Sequence, residues 1–435
     1  MQPVRRLLDA ENAPRTAHVL VLVLGFVTFA LVASRSWFFY DDWYFLTSNP
    51  DIVWAPHVGH WSTVPALVFL AIRSLFGMDH YLPFAIPAIL VHLGAVHLVW
   101  RIALRAKVRP WLATAFSVLL TFLGAGAEAL AWAVQIGFVG ALTGMLAVIL
   151  LLDHPRLTVW RGVAAGALTL LSLASSGVAI PFILVAVTLA WIRFGVLRTA
   201  AIFVVPASAY AVWFVLQGRG APSSGGARGL NQLLTVPQFA VSMLTDGLGR
   251  MFPLVMLGGL LFAALGVWWV FSIGRVEKTA LLPFLLFLAA PVFALLTGYA
   301  RVGNGLGTAT SSRYVYVVVI AITPLMALGF DRLVRTRPIA PAVAIVLVVA
   351  AWNMGGTALA LIERVHRVDS TRVELAETAR LVRANPSCLR PDDRPSPQWA
   401  PDVTVRDLQY WVKQGWYHPA SVPASARTCD QSPAQ

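Results

Sequence analysis

HVLVLVLGFVTFALVA, residues His18–Ala33, is an uncharged apolar run followed, after Ser34-Arg35-Ser36, by Trp37-Phe38-Phe39-Tyr40-Asp41-Asp42-Trp43-Tyr44. One such run is ambiguous, because a buried helix, a signal peptide and a membrane span all look alike at this length. Recurrence decides. Apolar runs return at about 82–100, 110–123, up to 152, 162–173, 178–192, 199–216, 252–273, 280–297, 314–330 and 339–361. The chain of 435 residues is 58% hydrophobic and 12% charged, against about 25% charged in a soluble domain. A globule of this size has no interior large enough for that surface, so its solvent is lipid. Ten-residue alternating segments of a membrane barrel are missing.

The expectation is therefore an all-α polytopic membrane protein with about eleven transmembrane helices. Residues 63–81 are apolar but broken by Arg73, Asp79 and His80, which predicts a helix lying in the interface. A cleaved signal peptide ending near Val32-Ala33-Ser34 is the alternative for the first run. A retained anchor is preferred, because the run exceeds a usual signal core. Residues 217–250 read as a long Gly/Ser-rich loop and residues 298–312 as a shorter one. No internal repeat stands out, which weighs against a secondary transporter.

Charge gives orientation. The net charge of +13 invites a nucleic-acid partner. The basic residues instead form short clusters between apolar runs, where membrane topology places them. With the N-terminus in the cytoplasm, Arg101–Arg109, Arg156–Arg161, Arg193–Arg198, Arg275–Lys278 and Arg332–Arg337 all fall inside. The loops holding Asp41/Asp42, Glu128, Ser175/Ser176, 217–250 and 298–312, and the C-terminal tail, fall outside. Membrane lipids are thus one partner and the plasma membrane the location. The excess of Arg over Lys, with abundant Ala, Val and Leu, points to a bacterial source.

The only cysteines, Cys388 and Cys429, lie in that tail. Two cysteines in an outer segment predict one disulfide, worth about 3–4 kcal/mol by loop closure; two free thiols are the alternative. The chain divides into a membrane domain, 1–362, and a small extracytoplasmic domain, 363–435.

Chemistry concentrates on the outer side. Adjacent carboxylates at a membrane surface repel and lose solvation, so Asp41 or Asp42 suits a general base acting near neutral pH. The alternative is a helix-capping turn. Trp37, Tyr40, Trp43 and Tyr44 fit either sugar stacking or an interfacial aromatic belt. His57 and His60, three apart, would share a helical face. Phosphate binding, a divalent cation held with an Asp, and plain loop structure are all open for them. Glu128 at a span's outer end, with Gln135 nearly two turns on, is a binding candidate. Arg301, Arg313 and Tyr314 form a further group. Arg313 stands on the side that disfavours cations, so it needs an anionic partner: a lipid headgroup, or a specific phosphate.

This organisation resembles the GT-C class of glycosyltransferases that use polyprenyl-phosphate sugars. Its members include protein O-mannosyltransferases, aminoarabinose transferases of lipid A and actinobacterial arabinosyltransferases. The resemblance runs over roughly residues 15–362. It rests on Asp41-Asp42 in the first outer loop, on Glu128 with Trp132 and Gln135, and on Ser312-Arg313-Tyr314. It implies an inverting transfer of a hexose or pentose from a polyprenyl-phosphate donor to a glycan, lipid or protein acceptor of the cell envelope. The first-loop aspartate would be the base, with Arg313 and His57 or His60 on the leaving phosphate. A tail of only about 70 residues departs from the large binding domains of some arabinosyltransferases. A non-catalytic lipid or polysaccharide transporter, or a subunit of an envelope complex, is the competing reading. A transporter, however, would place charges at the bilayer midplane.

Overall fold

The structure, a computed structural model, describes residues 12–47, 49, 51–221, 225–385 and 389–419. Its helices are α1 (Ala13–Ala33), α2 (Thr63–Phe76), α3 (Leu82–Arg105), α4 (Pro110–Thr121), α5 (Glu128–Ala131), α6 (Ile136–Leu152), α7 (Val159–Leu173) and α8 (Ala179–Phe194). They continue as α9 (Val196–Leu216), α10 (Leu230–Ser242), α11 (Met256–Ser272), α12 (Leu281–Arg301), α13 (Ser312–Leu333), α14 (Ile339–Ala384) and α15 (Val405–Lys413). The two-residue strands β1 (Pro56–His57) and β2 (His60–Trp61) pair antiparallel.

Each of the eleven apolar runs has its helix. Seven stretches among the described residues are long and apolar enough to cross a membrane: α1, α3, Ala133–Leu152, α9, Leu281–Asn304, α13 and α14. Helices α4, α7, α8 and α11 are shorter, at 12, 15, 16 and 17 residues. At about 1.5 Å per residue they fall short of a hydrocarbon core of about 30 Å. The surface agrees with a lipid setting. Leu20, Leu24 and Leu31 of α1, Val205 and Leu216 of α9 and Val348 and Leu359 of α14 are all exposed. Water would not tolerate an apolar surface so extended. Helix α13 differs. Every residue from Tyr314 to Leu328 is buried, on all sides of the helix, so it is the bundle's central post.

Two sequence expectations change. Residues 217–250 are not one loop. Val236, Phe239 and Ala240 recur at helical spacing and are buried, so Leu230–Ser242 folds as a helix, followed by a π turn at Met243–Gly247. Most of the glycines and serines of this stretch lie in residues 217–229, ahead of the helix. Also, the boundary drawn at residue 362 falls inside α14, one continuous helix of 46 residues. The chain beyond it turns back onto the first loop. Tyr40 N–H donates to Trp399 O at 2.9 Å. Trp411 Nε1 donates to Leu46 O at 2.8 Å, and its ring stacks on Trp43. Met78 N–H donates to Trp416 O, and Arg73 stands 4.1 Å over the Trp416 ring. Arg73 and Asp79, two of the polar residues that interrupt 63–81, therefore hold the tail, Asp79 Oδ1 accepting from His418 N at 2.8 Å. The expected Cys388–Cys429 pairing lies outside the described residues.

At the far end of the bundle, Arg105 and Arg193 both bind Asp153, and Arg109 Nε meets Asp331 Oδ1 at 2.6 Å. Arg105, Arg109 and Arg193, three of the arginines expected inside, thus find their partners at the end opposite the first loop.

Candidate active site

The first loop builds its site on buried aromatics. Trp37 and Trp43 are 2% and 1% exposed, so they are neither belt nor sugar platform. They pack edge-to-face on each other, and Phe38 packs edge-to-face on Tyr81 and Phe84. On this base, Tyr40–Asp42 makes one 3-10 turn. Tyr40 takes φ 47°, a conformation rare for a side chain of its size, held by its bond to Trp399.

That turn sends the two aspartates in opposite directions. Asp42 is fully buried. Its Oδ1 accepts from Val134 N (2.9 Å), and its Oδ2 accepts from Phe39 N (3.1 Å) and Tyr81 Oη (3.1 Å), with Arg364 Nη2 at 4.0 Å. Burial pushes its carboxyl up to about 7, against the pull of Arg364 and those donors. Asp41 instead lines a cavity of about 600 Å³. Its carboxyl is also raised, because burial outweighs the attraction of Arg313 and Arg301.

The cavity gathers Asp41, His57, His60, Gln135, Arg301, Arg313 and Tyr314. Asp42 and Glu128 are not part of its wall. Glu128 sits beside it, with Oε2 accepting from Arg313 N (3.3 Å) at the start of α13 and 3.9 Å from Arg313 Nε. The carboxylate thereby caps the central helix and steers the guanidinium.

His57 and His60 do not share a helical face. They are cross-strand partners in the β1–β2 hairpin, whose turn residues Val58 and Gly59 have φ 51° and 82°. Positive φ at both central positions is the two-residue hairpin geometry. It suits Gly59 and strains β-branched Val58. Arg301 Nη2 donates to Val58 O at 3.1 Å and clamps the strained turn. Burial, with the positive charges of Arg301 and Arg313, pushes His57 down to about 4 and His60 to about 3. Both are neutral at pH 7. His60 Nδ1 accepts from Gly177 N at 3.3 Å, so its ring proton sits on Nε2 as a neutral donor.

Gln135 is 4% exposed, and its Oε1 has no hydrogen-bond partner among the described residues. A buried orphan acceptor on a cavity wall fits a ligand that brings a hydroxyl or amine. Among the described residues, no group of three His, Cys, Asp or Glu is placed to hold a metal ion.

Sequence reasoning passed over Tyr210, which enters the cavity from the middle of α9. Its ring packs on Trp213 and Trp61. Those two tryptophans line a second cavity of about 690 Å³, walled by Val204, Val205, Val212 and Leu216. A polar and an apolar compartment thus share one aromatic wall. A lone tyrosine inside an apolar run carries no sequence signal for this. Arg364, which meets Asp42 from α14, was passed over as well.

No family model matches the chain, and no curated protein matches it. Among solved structures, ArnT from Cupriavidus metallidurans, crystallised with undecaprenyl phosphate, aligns with a TM-score of 0.52. The alignment covers 86% of this chain and 81% of ArnT at 14% sequence identity. The chain has a GT-C-like fold. At that identity the likeness is one of architecture, and residue roles follow from the cavity itself.

Proposed function

We propose that this protein is an inverting membrane glycosyltransferase that moves a sugar from a polyprenyl-phosphate donor to an acceptor hydroxyl beside Asp41. One observation carries the reading. A raised carboxyl and two guanidiniums meet in a polar cavity that borders an apolar, aromatic-walled one. A lipid-linked phosphosugar has the same division of charge and hydrocarbon. ArnT, whose fold is shared, was crystallised with such a lipid phosphate.

In this mechanism Asp41 takes the proton of the acceptor hydroxyl as its oxygen attacks the sugar C1. The bond from C1 to the phosphate oxygen breaks, and the phosphate leaves with the electron pair. Charge grows on that leaving group, so donors fixed beforehand favour the transition state. Arg313 and Arg301 supply two guanidiniums, and neutral His60 supplies an N–H. Gln135 Oε1 would accept from a sugar hydroxyl. The prenyl chain would lie against Trp61, Trp213 and the valines of α9. The cavity opens on the extracytoplasmic side, where the chain beyond Ala384 packs on the first loop. The acceptor is a glycan, lipid or protein of the cell envelope.

The test is radiolabel transfer from a panel of polyprenyl-phosphate sugars in membranes holding the native chain or Asp41→Asn at equal expression. Native membranes transfer label from one donor. The variant loses about 10³-fold, the range of a general base. Equal transfer by both would refute the reading.

A further inference from the structure

The residue most out of place in the sequence reading is Arg364. It lies on α14 beyond the last apolar run, far from the first loop in the chain. Yet its side chain is 13% exposed, and its guanidinium stands 5.7 Å from the ring centres of Phe39, Tyr81 and Trp132. Its Nη2 donates to Tyr81 Oη at 2.9 Å and lies 4.0 Å from Asp42 Oδ2. A buried cation in an aromatic cage, with one carboxylate, is expensive to keep without a task.

The hydrogen bonds show what it holds. Tyr81 Oη donates to Asp42 Oδ2 and accepts from Ala133 N at 2.8 Å. Asp42 Oδ1 accepts from Val134 N at 2.9 Å. Ala133 and Val134 begin the 3-10 turn that ends in Gln135, and Asp42 ends the turn that contains Asp41. The two turns that present cavity residues are therefore joined through the Asp42 carboxylate and the Tyr81 phenol, beside one direct bond from Trp132 Nε1 to Phe39 O at 3.2 Å. Arg364 is the cation against both. These two turns lie about 90 residues apart in the chain, and α14 lies over 200 residues further on.

We infer that Arg364 is a positioning residue for sugar transfer: through Asp42 and Tyr81 it fixes the Asp41 turn against the Gln135 turn. It touches neither donor nor acceptor. Its effect belongs to the chemical step, because a shift of about 1 Å in a base relative to its substrate lowers rate by about 10²-fold while binding persists. The inference rests on the proposed transferase reading, and the experiment separates the two.

The full chain is purified in detergent as native protein, Arg364→Gln, Arg364→Lys, Tyr81→Phe and Asp41→Asn. Two quantities are read: the dissociation constant of undecaprenyl phosphate, and kcat and KM for the donor found active in native membranes. Arg364→Gln should lower kcat by about 100-fold, with KM and lipid-phosphate affinity within about twofold of native. Arg364→Lys keeps the charge but not the fork, and should recover about tenfold of that loss. Unchanged kcat in Arg364→Gln, with Asp41→Asn inactive, overturns the inference and leaves the transferase reading intact. Active Asp41→Asn overturns the transferase reading first. Should Arg364→Gln fail to fold, Tyr81→Phe decides. It removes one hydroxyl and keeps the ring, and a fall in kcat of about tenfold at constant KM supports the network. A native kcat overturns it.

Discussion

The two ends of the helix bundle carry similar side chains and use them in opposite ways. At one end Asp153 and Asp331 are closed off by Arg105, Arg193 and Arg109. At the other, Asp41, Arg301 and Arg313 face a cavity. Paired charges at a membrane surface stabilise and orient a bundle. Charges arranged around empty space are kept for something that enters. The same contrast is repeated on a smaller scale between neighbours. Asp42 is saturated with donors, whereas Asp41 accepts no hydrogen bond among the described residues.

Substitutions at the two ends should therefore separate rate from stability. The largest effect belongs to Asp41→Asn, as set out above. Next is Arg313→Gln, which removes a guanidinium from the proposed phosphate site. It should lower kcat in the transfer assay by about 10²-fold. It should also move the acid limb of the rate profile. Protonated Asp41 is no base, so rate falls as pH drops through its raised pKa. Arg313 pulls that pKa down, so its loss moves the limb to higher pH. His57 and His60, at about 4 and 3, add no limb between pH 5 and 8. A limb that stays in place would break the assigned coupling.

Gln135→Ala comes third. Losing one acceptor from a substrate hydroxyl should cut kcat/KM by about tenfold, in line with one neutral hydrogen bond. At the opposite end, Asp331→Ala should leave KM and kcat within twofold of native. Its cost is in stability, about 2 kcal/mol for breaking a partly buried pair. In detergent this appears as a fall of a few degrees in the unfolding midpoint. A large rate effect at Asp331 would erase the distinction between the ends.

Most of the architecture was legible in the sequence. Long apolar runs are forced by the solvent, and each of the eleven runs found a helix, four of them shorter than a span. The clusters Arg101–Arg109 and Arg193–Arg198 were placed at one end by charge alone, and Arg105, Arg109 and Arg193 meet there. Asp41, His57, His60, Gln135, Arg301, Arg313 and Tyr314 were each conspicuous as polar residues beside apolar runs, and they share a cavity. Four things were hidden. The choice between Asp41 and Asp42 depends on a single 3-10 turn that begins at Tyr40 with φ 47°, a backbone conformation that a tyrosine in the sequence does not signal. The histidine pair read as helical because a spacing of three fits a helix as well as a hairpin tip. The partnership of Arg364 with Asp42 spans most of the chain, and no local pattern marks it. Helix α10 was hidden by the glycines before it, although Val236, Phe239 and Ala240 carried the right period.

The most direct measurement is a structure of the full chain with undecaprenyl phosphate. The account predicts the phosphate between Arg313 and Arg301, the prenyl chain against Trp61 and Trp213, and Asp41 facing the space where the sugar C1 would sit. A phosphate held instead among Arg105, Arg109 and Arg193, at the opposite end, would contradict it.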